Sequence, residues 1–249
     1  EDNLADAMNT ADVDAVHKVR QHLRHALAKA FEEELDAIAT GIDANNQFSP
    51  DAASAGQRAE RAAALSYLAT LPGGAERALS AYHAANNMTD RMSALAALND
   101  QPGYARTEAM AAFHDRYAND PLTLDKWFVL TATAPGPDAL ADIRRAMEDP
   151  TFTLGNPNKA RSLIGAFAAS NPTAFHAADG AGYKFFTEQI LAIDKLNPQT
   201  AARMLAPLGR WKRMDGARQS QMQAALKRIL ATKNISRDIF EIADKALNG

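Results

Sequence analysis

Residues 156–213 read NPNKARSLIGAFAASNPTAFHAADGAGYKFFTEQILAIDKLNPQTAARMLAPLGRWKR. Three Asn-Pro pairs punctuate this stretch: Asn156-Pro157, Asn171-Pro172 and Asn197-Pro198. An asparagine side chain accepts a hydrogen bond from an unpaired amide of the first helical turn. Proline suits the first helical position, where its missing N–H would find no partner anyway. The stretch therefore predicts successive short helices with abrupt starts. Arg161 and Arg203 fall five and six residues beyond their capping asparagines. That spacing predicts two cations near the positive ends of their helices, an arrangement suited to a carboxylate. A salt bridge to a neighbouring helix is the alternative.

Working outward, the same punctuation recurs. Ser49-Pro50, Thr89 and Asp120-Pro121 are further helix starts, and Pro72-Gly73-Gly74 and Pro135-Gly136-Pro137 are breaks. Tyr104–Tyr117, Tyr183–Leu196, Gly216–Ala231 and Ser236–Leu247 read as further helices. Upstream, Val16, Val19, Leu23, Leu27, Phe31, Leu35, Ile38 and Ile42 follow one another in steps of three and four. That period predicts one amphipathic helix over 12–42, about 45 Å long. Helix starts every 15–26 residues give pairs of HEAT or armadillo size. No strict sequence repeat accompanies them. The expected fold is all-α, an irregular HEAT/armadillo-like helical solenoid curved into a superhelical bowl. With no long linker in view, it is expected to form a single domain over 1–249.

Composition agrees. Hydrophobic residues make up 47% of the 249, much of it alanine, and aromatics only 7%. With no cysteine, disulfides, zinc–thiolate sites and thiol catalysis are excluded. No run of about 18 apolar residues predicts a membrane span. The chain opens Glu-Asp-Asn, with neither initiator methionine nor signal-peptide pattern, and reads as a piece of something longer. The net charge of −3 is unevenly spread. Residues 1–60 carry twelve acids against five bases, and residues 203–228 carry seven bases against Asp215 alone. Either 203–228 is a solvated face or it neutralises the acidic start within the fold, or it forms a nucleic-acid stripe with Trp211 as its one aromatic.

Catalytic signatures are missing. None of the six histidines precedes a glutamate, so the zinc-protease pattern is absent. His22 and His25, three apart on a predicted helix, read as surface residues. Glu32-Glu33-Glu34 reads as a solvated face, and Gly180-Ala181-Gly182 as a turn. His176 and Asp179 in FHAADGAGY are a weak acid–base pair, more simply a loop that satisfies its own backbone. Trp127 in DKWF sits on an apolar helical face and reads as core.

Four strings carry a resemblance: 81–98 (AYHAANNMTDRMSALAAL), 125–133 (DKWFVLTAT), 156–183 and 197–219 (NPQTAARMLAPLGRWKRMDGARQ). In this order they resemble the C-terminal helical region of the bacterial aminopeptidase N branch of the M1 zinc metalloaminopeptidases. The similarity extends over nearly the whole chain and is weakest in 1–70. It implies a helical domain that encloses a chamber over a catalytic domain of the same polypeptide. The parent would be a cytoplasmic monomer that removes N-terminal residues from peptides. It also implies that the zinc and the catalytic groups lie in that other domain, so this chain alone contributes no catalytic residue, cofactor or metal site. Arg161 and Arg203 match chamber-facing arginines of the family, which implies contact with peptide substrate. No nucleic-acid or membrane partner is implied. An independent helical-repeat module binding protein or peptide is the competing expectation.

Overall fold

The computed structural model describes residues 1–41 and 48–249, and it contains no strand among them. The chain divides into two compact units, residues 18–119 and residues 1–17 with 120–249. In chain order, α1 spans Asp2–Asp6, α2 Val13–Ala30, α3 Glu32–Thr40, α4 Ala52–Leu68, α5 Gly74–Ala84, α6 Met88–Asn99 and α7 Tyr104–Arg116. They are followed by α8 (Pro121–Thr133), α9 (Ala139–Ala146), α10 (Pro157–Ala160), a π-helical turn (Arg161–Gly165) and α11 (Ala166–Ser170). Then come α12 (Pro172–Phe175), α13 (Ala181–Asp194), α14 (Pro198–Met204), a 3₁₀ segment (Ala206–Arg213), α15 (Gly216–Leu230) and α16 (Arg237–Asn248). No helix among the described residues is long and apolar enough to cross a membrane.

The starts follow from capping chemistry. Asn156, Asn171 and Asn197 accept from the amides of Asn158 (2.9 Å), Ala174 (3.3 Å) and Thr200 (3.0 Å). Asp51, Asn87, Asp120 and Ser236 cap α4, α6, α8 and α16 in the same way. Asn171 does more. It is buried, and its Nδ2 donates to the carbonyls of Ala132 (2.9 Å) and Ala134 (2.8 Å). One side chain thus opens α12 and satisfies backbone acceptors at the end of α8, both of which would otherwise be buried unpaired.

In the unit formed by 18–119, α4 and α6 pack together, and α3 lies on α4 and α5 on α6. Leu65, Leu68, Tyr82, Leu95, Leu98 and Phe113 fill its interior. The single long helix predicted over 12–42 is instead two helices. Phe31 leaves helical geometry (φ −123°, ψ 31°) and separates α2 from α3, while Ile42 lies outside the described residues. Phe31 still donates to Leu27 and accepts from Leu35, so the ladder continues on both sides while the axis is interrupted. Continuity of period does not require continuity of one axis.

In the other unit the core is aromatic. Phe175 meets Phe167, Tyr183 and Phe186 edge-on at centroid separations of 5.7, 5.2 and 5.5 Å, the arrangement ring quadrupoles favour. Gly182 permits this closeness: a Cβ there would stand 2.3 Å from the Phe175 carbonyl oxygen. Gly180, at φ +70°, supplies the left-handed turn before α13. The Gly-Ala-Gly run is thus a turn and a contact point.

Candidate functional site

Arg161 opens the π-helical turn, and Arg203 occupies the last turn of α14. Both are exposed. Arg161 Nη2 donates to Asn158 Oδ1 at 2.7 Å, and Arg203 makes no ion pair among the described residues. The two segments approach at Gly165. A Cβ built there would lie 3.8 Å from Arg161 Cβ and 3.7 Å from the methyl of Met204, the neighbour of Arg203. The structure therefore brings the segments that bear these arginines together.

Their expected placement near helix N-termini is corrected, however. Pro207 stops α14 after seven residues, so Arg203 stands at its carbonyl end, where a cation offsets the negative pole. Arg161 lies beyond the first turn, where the dipole has faded. Any pull on an anion comes from the two guanidinium groups themselves.

Beneath Arg161, Lys159 is buried. Its Nζ lies 2.9 Å from Asp125 Oδ1, donates to the Pro121 carbonyl at 2.5 Å and sits 5.0 Å over the Phe128 ring. This contact fixes α10 on α8 and helps set the direction in which Asn158 and Arg161 project. Nothing in the sequence singles out Lys159, since a lysine beside an exposed Asn-Pro start ordinarily faces water. The π turn, a geometry common at functional sites, has no sequence signature here either.

The other candidates resolve structurally. His176 Nδ1 lies 2.7 Å from the Tyr183 hydroxyl, while Asp179 accepts from the Ala181 amide at 2.9 Å. The histidine and aspartate thus turn to different partners, and the loop is held partly from outside, since Gln221 Nε2 donates to the Ala178 carbonyl at 2.9 Å. Burial pushes the Tyr183 hydroxyl well above the usual tyrosine range. Trp127 is half-buried and packs edge-on against Phe128 at 5.2 Å. His25 meets the Thr70 carbonyl at 3.0 Å. Among the described residues no group of three or more His, Asp or Glu side chains is placed to hold a metal ion.

The basic stretch 203–228 is partly neutralised from within. Arg218 Nη2 pairs with Asp14 at 2.6 Å and Nη1 with Asp215 at 2.8 Å, while Nε donates to the His176 carbonyl at 2.7 Å. The hydrogen bonds from Arg218 hold the Asp215 carboxyl below its usual range. Trp211 Nε1 donates to the Ala246 carbonyl at 2.8 Å, which ties its ring to the end of α16. Charge complementarity between the acidic start and the basic 203–228 region is realised through Asp14.

The family described as "Domain of unknown function (DUF3458_C) ARM repeats" matches residues 1–248. The chain belongs to this family. The ARM-repeat domain is 39% identical to aminopeptidase N of Caulobacter vibrioides across 99% of the chain and 29% of that protein. It is 38% identical to aminopeptidase N of Escherichia coli across 98% of the chain and 28% of that protein. Among solved structures it superimposes on Legionella pneumophila aminopeptidase A, crystallised with aspartic acid. There the TM-score is 0.86 at 27% identity, covering 98% of this chain and 30% of that one. The ARM-repeat domain thus spans less than a third of the length of these relatives. Together the matches identify it as a C-terminal helical domain of the M1 aminopeptidase kind.

Proposed function

We propose that this ARM-repeat domain walls the chamber of a zinc-dependent M1 aminopeptidase and guides peptides within it. It acts there as one domain over 1–249, in a monomeric cytoplasmic enzyme whose metal and catalytic groups belong to another domain of the same polypeptide. A short peptide held by its N-terminus at that metal directs its C-terminal carboxylate toward the helices, where Arg161 and Arg203 receive it. The observation that carries this reading is the pair of exposed guanidinium groups on segments that meet at Gly165, one of them with no acid beside it among the described residues. A guanidinium–carboxylate contact is a charge-assisted, often bidentate hydrogen bond. Such bonds contribute about 1.5–3 kcal/mol before solvent in a wet chamber reduces them.

The test uses the full enzyme. Replacing Arg161 and Arg203 together by alanine should raise KM for tripeptides by about tenfold and leave single-residue chromogenic amides unchanged, because those have no carboxylate to present. Equal changes for both substrate classes would remove the carboxylate role. The ARM-repeat domain alone is expected to cleave neither class.

A further inference from the structure

Within the unit 18–119, helices α3, α4, α5 and α6 line a groove of about 570 Å³. Ala39, Ala62, Leu65, Ala81, Ala84 and Ala85 make its apolar surface. Alanine in five of these six places keeps the groove open, because the space a larger side chain would occupy is left empty. Two ion pairs line it as well. Arg77 on α5 pairs with Asp36 on α3, and Arg61 on α4 pairs with Asp90 on α6.

The two pairs differ in accessibility. The Arg61 and Asp90 side chains are each 16% exposed, and Asp90 is further held by Asn87 Nδ2 at 2.7 Å. Arg77 and Asp36 are 42% and 46% exposed. An exposed pair contributes almost nothing to stability, so a ligand opens it at little cost. The charges lining the groove balance. A simple anion or cation would take one member of the Arg77–Asp36 pair and leave the other unmatched. A molecule with a carboxylate at one end and an ammonium at the other replaces both contacts once the two exposed side chains swing apart to span its length. The volume falls in the range of ordinary small-ligand sites and leaves a single amino acid loosely held.

We propose that this groove binds a short zwitterionic peptide with apolar side chains. Its carboxylate rests on Arg77, its ammonium on Asp36, and its side chains on the alanines of α4 and α5. Ser80 and Ser93 also line the groove, and their hydroxyls would supply acceptors for peptide N–H groups. The groove site is independent of the Arg161–Arg203 reading, and either stands without the other.

Calorimetric titration of the 249-residue chain with Leu-Gly-Leu tests this, alongside the N-acetylated and the C-amidated forms of the same tripeptide. The free tripeptide is expected to bind saturably and each blocked form about tenfold more weakly, the loss of one charge-assisted contact. Arg77→Gln should weaken the free tripeptide similarly and abolish its advantage over the amide. Ala81→Phe should fill the groove and eliminate binding. Arg77→Gln, a surface change, remains decisive should Ala81→Phe disturb the fold. The Arg161→Ala/Arg203→Ala chain should bind like the wild type. Absence of saturable binding would overturn the proposal. So would equal affinity for free and blocked peptides, which would mark a merely apolar surface suited to a protein segment. Binding lost with Arg161 and Arg203 but kept in Arg77→Gln would overturn it too, by moving the site elsewhere.

Discussion

Helices α2–α3 and helices α10–α13 were equally emphatic in sequence, yet they behave differently in the fold. The first pair carries a six-step apolar period from Val16 to Ile38, but Val19 and Leu23 remain 60% and 55% exposed, and α3 buries no residue. The second set has no long period, only Asn-Pro starts and scattered aromatics, yet Phe167, Phe175 and Phe186 are fully buried. Periodicity states which residues share a face; whether the face is covered depends on what lies opposite it. Capping, by contrast, is settled within four residues, so its signal carries directly into structure.

The largest expected contrast between the two regions is in stability. Phe175→Ala, at the centre of the aromatic cluster, should lower the unfolding free energy by about 3–5 kcal/mol. Val19→Ser or Leu23→Ser should change it by less than about 0.5 kcal/mol. Denaturant unfolding of the three variants makes the comparison, and a large loss at Leu23 would show that the α2 face is covered after all.

The buried Lys159–Asp125 pair sharpens the same comparison, because one member is an apparently ordinary lysine of a helix start. Lys159→Ala leaves Asp125 uncompensated and should cost about 3 kcal/mol. Adding Asp125→Asn should recover part of it. Additive losses in that double-mutant cycle would mean the two groups do not interact.

Asn171→Ala comes next, with an expected loss of about 2 kcal/mol, because it removes both a cap and a donor to two buried carbonyls. Asn197→Ala, a cap alone, should cost about 1 kcal/mol. Thermal unfolding of the two variants side by side reads the difference.

The smallest effect is electrostatic. Hydrogen bonds from Arg218 depress the Asp215 carboxyl, and those from Thr123 depress Asp120. A carboxyl held low in the fold lends its stability above the unfolded value, near pH 4, and loses it as pH falls through the folded value. Melting temperature should therefore decline below about pH 4, and Asp215→Asn should flatten that acid limb slightly while leaving the region above pH 6 parallel to wild type. An unchanged limb would remove Asp215 from the account.

Much of the fold was legible for the reason these contrasts illustrate. The starts of α8, α10, α12, α14 and α16 were carried by Asp120-Pro121, the three Asn-Pro pairs and Ser236, each a local event. The break at Phe31 was not, since no proline or glycine marks it and the apolar steps run through it unchanged. At the candidate site, the Asn-Pro spacing brings Arg161 and Arg203 forward but sets both near positive helix ends; α14 is only seven residues long, so Arg203 falls at its carbonyl end, and Arg161 lies beyond the first turn of α10. Lys159 was invisible: its burial depends on Asp125 and Pro121, more than thirty residues away in sequence.

The reading of this ARM-repeat domain as a substrate-guiding wall rests on recognition of a carboxylate by Arg161 and Arg203. The most direct measurement compares kcat/KM for one tripeptide and its C-terminal amide in the full enzyme, wild type against Arg161→Ala/Arg203→Ala. The account predicts that wild type prefers the free acid by about tenfold and that the double variant treats acid and amide alike. An acid preference that survives the double substitution would contradict it.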